Sequence, residues 1–200
     1  MKKLPLSFYD RKDVVKIAEE LLGKILVTKF DEVTSGRIVE TEAYIGITDK
    51  ASHSFGNRRT ARNEIMYSPA GVAYVYICYG MHQMFNIVTN AKNVPDAILI
   101  RAVEPLKGID IMAKRTGKNP TDKTLTRGPG NVAKALGINK HHSGLFLLDE
   151  SIFLLDDAYE IKKEKLGISK RIGVEGAGED ASLPYRFYEK GNLYVSGKRN

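Results

Sequence analysis

The chain has 200 residues, of which 42% are apolar and 28% charged, ordinary globular values that exclude fibrous, collagen-like and disordered classes and predict a single domain spanning 1–200. A lone cysteine, Cys78, excludes an internal disulfide framework and fits a reducing compartment, and no apolar stretch follows Lys2 and Lys3, so a cytoplasmic location with no secretory signal is expected. The net charge of +7 and pI near 9.3 point to an anionic partner, and 13 basic against 5 acidic residues between Arg58 and Lys140 put that character in the middle of the chain.

Val14, Ile17, Ala18, Leu21 and Leu22 recur at helical spacing, with Asp10 as the expected cap and Gly23 as the stop. Lys24 to Phe30 and Gly36 to Ile45 are rich in branched and aromatic residues and predict a hairpin around a polar turn. Ile65 to Ala91 contains no Lys, Arg, Asp or Glu. Pro69, Gly71, Gly80, His82, Gln83, Asn86 and Asn90 interrupt it, so it reads not as a membrane span but as two strands, Val72 to Tyr79 and Met84 to Thr89, around a tip at 80–83. A strand from Ala97 to Val103 is expected to precede a helix that opens at Glu104-Pro105, with Leu106, Ile109 and Ala113 on its inner face and Gly117 after its end. Lys118 to Arg127 reads as a mobile basic loop, and Gly128-Pro129-Gly130 as the start of a helix stopped by Gly137. Apolar runs at 145–148, 152–155, 168–174, 185–188 and 193–195 predict a strand-rich remainder. The expected fold is therefore α+β, dominated by antiparallel sheet with peripheral helices.

In GRIVETEAY, Gly36 to Tyr44, a period of two puts Glu40, Glu42 and Tyr44 on one face and Val39, Thr41, Ala43 and Ile45 on the other. Neighbouring like charges on a strand cost energy unless they are used or compensated. The pattern points to carboxylate acid/base work without choosing between Glu40 and Glu42, and a solvated strand face is its plain alternative. Tyr67, Tyr74, Tyr76 and Tyr79 follow Arg58, Arg59 and Arg62, and rings interleaved with cations suit base stacking and phosphate contact. Tyr76 and Tyr79 are expected on opposite faces. Gly128-Pro129-Gly130 before a helix can offer N–H groups to a phosphate. His53, His82, His141 and His142 lack metal-ligand spacing, and no G-x-S-x-G elbow or phosphate loop occurs, so no metal and no cofactor are expected.

GRIVETEAYIG (36–46), Ala51-Ser52-His53-Ser54, Arg62-Asn63, YVYICYGMHQMFNI (74–87), LIRAVEP (99–105), GPGNVAKALGINK (128–140), RIGVEGAGE (171–179) and RFY (186–188) together resemble the alkyladenine, or 3-methyladenine, DNA glycosylase family, in order over nearly the whole chain. The resemblance implies a curved antiparallel sheet with a protruding β-hairpin. It also implies a monofunctional enzyme that flips damaged purines from duplex DNA and hydrolyses the N-glycosidic bond. Carried over by position, Glu42 is the general base and Arg101 holds the water and backbone beside it. Tyr44, His53 and Tyr76 wall the base pocket, and Asn86 crowds a guanine amino group. Tyr79 fills the gap left by the flipped nucleotide, with Met81, Arg58, Arg59, Arg62, Arg127 and Gly130 as further DNA-binding residues. The implied partner is double-stranded DNA with damaged purines, bound by a monomer away from any membrane. His82 and Phe55 depart from some relatives, which have an aromatic and a basic residue there. A non-catalytic nucleic-acid binding module and an RNA base-modifying enzyme are the competing readings.

Overall fold

The computed structural model describes residues 1–197. After a two-residue strand β1 (Lys2–Lys3), the amphipathic N-terminal segment forms in two pieces, α1 (Leu6–Tyr9) and α2 (Val14–Glu20). Asp10 is not the cap. Its N–H closes α1 on the Leu6 carbonyl, and Asp13 caps α2 by accepting from Lys16 N at 2.9 Å. Asp13 lies three residues before that N–H, the reach an N-cap oxygen requires. Gly23 follows the helix at φ +85°, where its N–H turns to the Ile38 carbonyl.

Strands β2 (Ile25–Phe30) and β3 (Glu32–Tyr44) form the expected hairpin, but its turn is Asp31 alone, at φ +54°. Residues 32–35 pair with β2, where Thr34 finds a buried partner and Val33 packs against Ile25 and Val27: the Thr28 and Thr34 hydroxyls meet at 2.7 Å, and Thr28 also donates to the Leu136 carbonyl. Strands β4 (Val72–Cys78) and β5 (His82–Thr89) form a second hairpin whose tip is 79–81.

Strand β6 (Asp96–Lys107) runs through the position where Glu104-Pro105 was expected to start a helix, and Leu106 is exposed. Pro105 is tolerated because β5 pairs only with 96–99 of β6, so no strand on that side needs its missing N–H. Gly108, in the left-handed region, then breaks the strand, and α3 (Ile109–Thr116) begins there. Helix α4 (Pro129–Leu136) starts at its proline and ends at Gly137 as expected. The segment 118–127 is irregular but tethered rather than loose: Lys118 Nζ donates to the Thr124 carbonyl at 2.7 Å, Asp122 caps Thr124, and Leu125 is buried. Of the C-terminal runs, β7 (Ile152–Asp156), β8 (Leu166–Ser169) and β9 (Arg186–Glu189) are strands, whereas 145–148 and 193–195 are not and 170–174 leaves β8 as a turn.

The nine strands among the described residues join one curved antiparallel sheet, seven of them in the order β1-β7-β2-β3-β6-β5-β4. The long β3 forks on one edge, pairing with β2 through its first half and with β9 at Glu40–Glu42, while β8 lies beyond β9. One face is covered by α2, α3 and α4, whose Ile17, Met112 and Val132 pack with Ile38, Ala43, Phe85, Ile87, Ile98 and Ile100. Among the described residues no α-helix packs on the other face, which carries the polar residues that the sequence singled out. No helix among the described residues is long and apolar enough to cross a membrane.

Candidate active site

The ladder between β3 and β6 passes Leu106 near one end and then, at the site, skips a residue on each strand: Ile38 faces Val103 and Glu40 faces Ala102, passing Val39, and Thr41 then faces Ile100, passing Arg101. Such bulges re-aim side chains. Val39 leaves the face predicted for it and packs with Ala102, Tyr188 and Val195. Thr41 stays on the helical side, where its hydroxyl donates to the Ala18 carbonyl. Past the bulges the register is regular, and directly opposed residues share a face. Arg186, Glu42, Leu99, Asn86 and Tyr74 therefore form one row across β9, β3, β6, β5 and β4.

Both carboxylates in this region are buried with no exposed surface, so the strand face is not solvated. Glu42 Oε1 accepts from Ile172 N at 2.8 Å, and Oε2 accepts from the Tyr44 hydroxyl at 2.9 Å and Arg101 Nη1 at 3.2 Å. Burial raises its pKa above the ordinary glutamate value, and the Arg101 charge and the Ile172 and Tyr44 hydrogen bonds oppose that rise. Tyr44 is held well above its usual pKa by burial and by Glu42, which keeps its hydroxyl a donor.

Glu40 has a different set of partners. Its Oε1 accepts from Arg101 Nε at 3.0 Å, Arg186 Nε at 2.7 Å and Ser196 Oγ at 2.8 Å, and its Oε2 accepts from Ser196 N at 2.7 Å. Removing one partner of such a buried ion pair costs about 3–5 kcal/mol, because the other charge is left uncompensated.

Beside Glu42 opens a cleft enclosing about 280 Å³, its mouth included, whose lining includes Tyr44, His53, Met66, Tyr74, Tyr76 and Asn86. Tyr44 joins the two halves of the site, since its ring walls the cleft and its hydroxyl reaches Glu42. His53 meets the Tyr74 hydroxyl through Nδ1 at 2.8 Å and stands edge-on to Tyr76, with centroids 4.5 Å apart. Burial and the charges of Arg62 and Arg58 lower its pKa to about 4, so the imidazole is neutral at pH 7. Asn86 is fixed by its Nδ2, which donates to the Tyr74 and Met84 carbonyls.

The β4–β5 hairpin carries Tyr79 at its tip, 87% exposed and at φ +49°, next to Met81 at 71%. Tyr76 and Tyr79 thus point to different places, as strand periodicity predicted. Arg58 is exposed; Arg62 lies 5.4 Å from the Tyr76 ring and donates to the Ile77 carbonyl. Arg59 is tied to Glu64 at 2.5 Å and stacks on Tyr67. Arg127 Nη2 donates to the Leu193 carbonyl. Gly130 has a packing reason, because a Cβ there would stand 3.0 Å from His82 Nδ1. Behind the hairpin tip, Tyr79 and Arg127–Asn131 share a second, more open depression. Among the described residues no group of three or more His, Cys, Asp or Glu is placed to hold a metal ion.

The sequence assigned no role to Arg171, Asp49, Ile172, Arg186 or Ser196. Arg171 is buried, forms a two-pronged ion pair with Asp49, donates to the Ala43 carbonyl and lies 4.7 Å from the Tyr44 ring. It thereby places the Ile172 N–H on Glu42. The fragments RIGVEGAGE and RFY were visible in the sequence, but a buried arginine has no periodic signature, and its partners lie about 120 to 150 residues away.

The model of the methylpurine-DNA glycosylase family matches residues 7–193. A Clostridium novyi protein is 44% identical over 205 residues, covering 99% of this chain and 100% of its own. A Chlamydia felis protein is 46% identical over 188 residues, covering 92% and 94%, and a Bacillus subtilis protein is 42% identical over 195, covering 96% of each. Each of the three is named "Putative 3-methyladenine DNA glycosylase". With a family match over nearly its full length, a curved sheet with a projecting hairpin and a buried glutamate beside an aromatic cleft, the chain belongs to the methylpurine-DNA glycosylase family, base-excision-repair hydrolases of N-glycosyl bonds.

Proposed function

We propose that the protein excises 3-methyladenine-like alkylated or deaminated purines from duplex DNA, with Glu42 as the base that activates water. The observation that carries this reading is the Tyr44 bridge, which places one buried carboxylate against an aromatic cleft. Unstacking a base costs a few kcal/mol, least where pairing is already weak. Tyr79 enters the vacated stack from the minor groove, as wedge side chains do in other kinked duplexes, while Arg58, Arg62 and the 127–130 turn engage the backbone.

Once extruded, the base lies between the Tyr44 and Tyr76 rings, which favour the positive charge of an alkylated purine. The neutral His53 adds no repulsion. The fixed amide of Asn86 forms a shoulder against the amino group of an undamaged guanine. As the glycosidic bond lengthens, the sugar gains oxocarbenium character, which the Glu42 carboxylate stabilises while it takes a proton from the attacking water. Arg101 keeps the carboxylate oriented. None of the cleft residues is a lysine, so the site offers no amine for a Schiff base, and a single hydrolytic step with an intact strand is expected.

The experiment is release of free base from a duplex carrying one lesion, followed with and without EDTA. Base release that leaves an unbroken abasic strand supports the reading. Lesion binding without release would favour a non-catalytic module, and release from RNA alone would favour the RNA enzyme.

A further inference from the structure

Glu40, the first carboxylate of Glu40-Thr41-Glu42, has no part in the reaction as described, yet it accepts four hydrogen bonds where Glu42 accepts three. Glu40 and Glu42 sit on the same face, and Arg101 connects them through different nitrogens: Nε to Glu40 at 3.0 Å and Nη1 to Glu42 at 3.2 Å. The third nitrogen, Nη2, donates to Ser196 Oγ, which itself donates to Glu40. Arg186 closes the far side of Glu40 through Nε and anchors the Ser196 carbonyl through Nη2. The result is a buried chain of alternating charge, Arg186, Glu40, Arg101, Glu42, in which only the last member adjoins the cleft wall. Arg101 also lies at a bulge in β6, which re-aims its side chain out of the strand alternation, and these contacts hold the guanidinium where it points.

We propose that Glu40 is a positioning residue: with Ser196 and Arg186 it fixes the Arg101 guanidinium on the rim of Glu42 and holds back part of the arginine's charge, leaving Glu42 basic enough to deprotonate water. This rests on the reading of Glu42 as the base. The charged and titratable groups that face Glu42 are Arg101 from β6, Arg186 from β9, Tyr44 and Glu40 from β3, Tyr76 from β4 and Arg171 from the segment after β8. Of these, Glu40 is the carboxylate that shares Arg101, and its negative charge raises the pKa of Glu42 where Arg101 lowers it. Without it the whole arginine charge turns to Glu42, which becomes a weaker base and ionises at lower pH.

The test is the pH dependence of single-turnover excision on a lesion-bearing duplex. Glu40→Gln is expected to lower the plateau rate by about tenfold, less than the roughly 10²–10⁴-fold that the base itself is worth. It should leave the Kd for damaged duplex near wild type and move the acid limb of the profile to lower pH. Glu40→Asp, which keeps the charge, should return the limb toward wild type. A purely structural role reduces the amplitude and melting temperature and leaves the limb in place, so superimposable limbs in wild type and Glu40→Gln would overturn the proposal. Should Glu40→Gln lack a cooperative melting transition, Ser196→Ala decides instead, because it removes one donor to Glu40 and keeps every charge. A several-fold slower rate at unchanged Kd then supports the proposal, and a wild-type rate overturns it. Glu42→Gln, run in parallel, separates the two levels: a Glu42→Gln protein that still excises would remove the base assignment, whereas failure of the Glu40 arm alone leaves that assignment standing.

Discussion

At Glu42 both carboxylate oxygens are bonded and no surface reaches solvent, while some distance along the same sheet the Tyr79 ring is 87% exposed on a residue in the left-handed region. The first region is over-determined: the Ile172 backbone, Arg101 and Tyr44 fix one side chain, so little reorganisation is left for the moment of reaction. At the second, the fold spends backbone strain of order 1–3 kcal/mol to hold an aromatic ring away from the protein, where the proposed function has DNA as its partner. On the proposed reading, chemistry sits where the protein supplies every contact, and lesion search where DNA must supply them. Changes in the buried region should act on rate and stability, and changes at the tip should act on duplex engagement alone.

The largest effect is expected from Glu42→Gln, which should slow single-turnover excision by about 10²–10⁴-fold while lesion binding persists; a rate above about a tenth of wild type would dissolve the distinction at its buried end. The wild-type rate should also fall on acidification from a higher pH than an ordinary glutamate would give, since burial raises the pKa and only the ionised form accepts a proton.

His53 sharpens the contrast through stability. Its folded pKa of about 4 lies below the ordinary 6.5, so the unfolded chain binds more protons between those values. The stabilisation is complete above pH 6.5 and is lost as pH falls toward 4, at most about 3 kcal/mol. Urea midpoints of wild type and His53→Gln should converge on acidification, and parallel curves would count against a neutral buried imidazole.

Salt probes the other end. Arg59 is paired with Glu64, and Arg115 and Lys118 donate to carbonyls within the fold, so fewer cations remain for phosphate than the basic composition suggests. Three to four contacts correspond to a roughly 40- to 150-fold loss of duplex affinity between 50 and 200 mM salt. A flat response would remove backbone binding from the tip region.

The smallest effects separate the tyrosines. Tyr76→Ala should slow excision on paired and mispaired hypoxanthine alike, since stacking on an extruded base is worth about 1–3 kcal/mol, provided the wild type acts on that base. Tyr79→Ala should leave the melting temperature unchanged, as surface substitutions do within about 0.5 kcal/mol, and should slow excision mainly where the target is paired. Equal relative defects on both substrates would mean that the tip is not a plug.

Much was fixed by local pattern. The spacing of Val14, Ile17 and Ala18, the glycine stop at 137, the hairpin within the uncharged stretch 65–91 and the separate directions of Tyr76 and Tyr79 all follow from side-chain periods and turn chemistry, and the structure has each of them, whereas the first helix ends at Glu20, short of Gly23. Where local pattern misled, a distant partner had intervened: residues 32–35 read as a turn until Thr28 and Leu136 bury them, and Pro105 reads as a helix start until the free side of β6 accepts it. The two carboxylates of ETE are the sharpest instance. One amino-acid type at a spacing of two cannot be ranked by sequence, because their difference lies in Arg101, Arg186, Ser196 and Ile172, some 60 to 160 residues further along. Hydrophobic period and turn propensity are properties of neighbours in the chain and are written locally. The ionisation and orientation of a buried acid depend on which charges and N–H groups surround it, and only tertiary packing, with the bulges at Val39 and Arg101, brings those groups together.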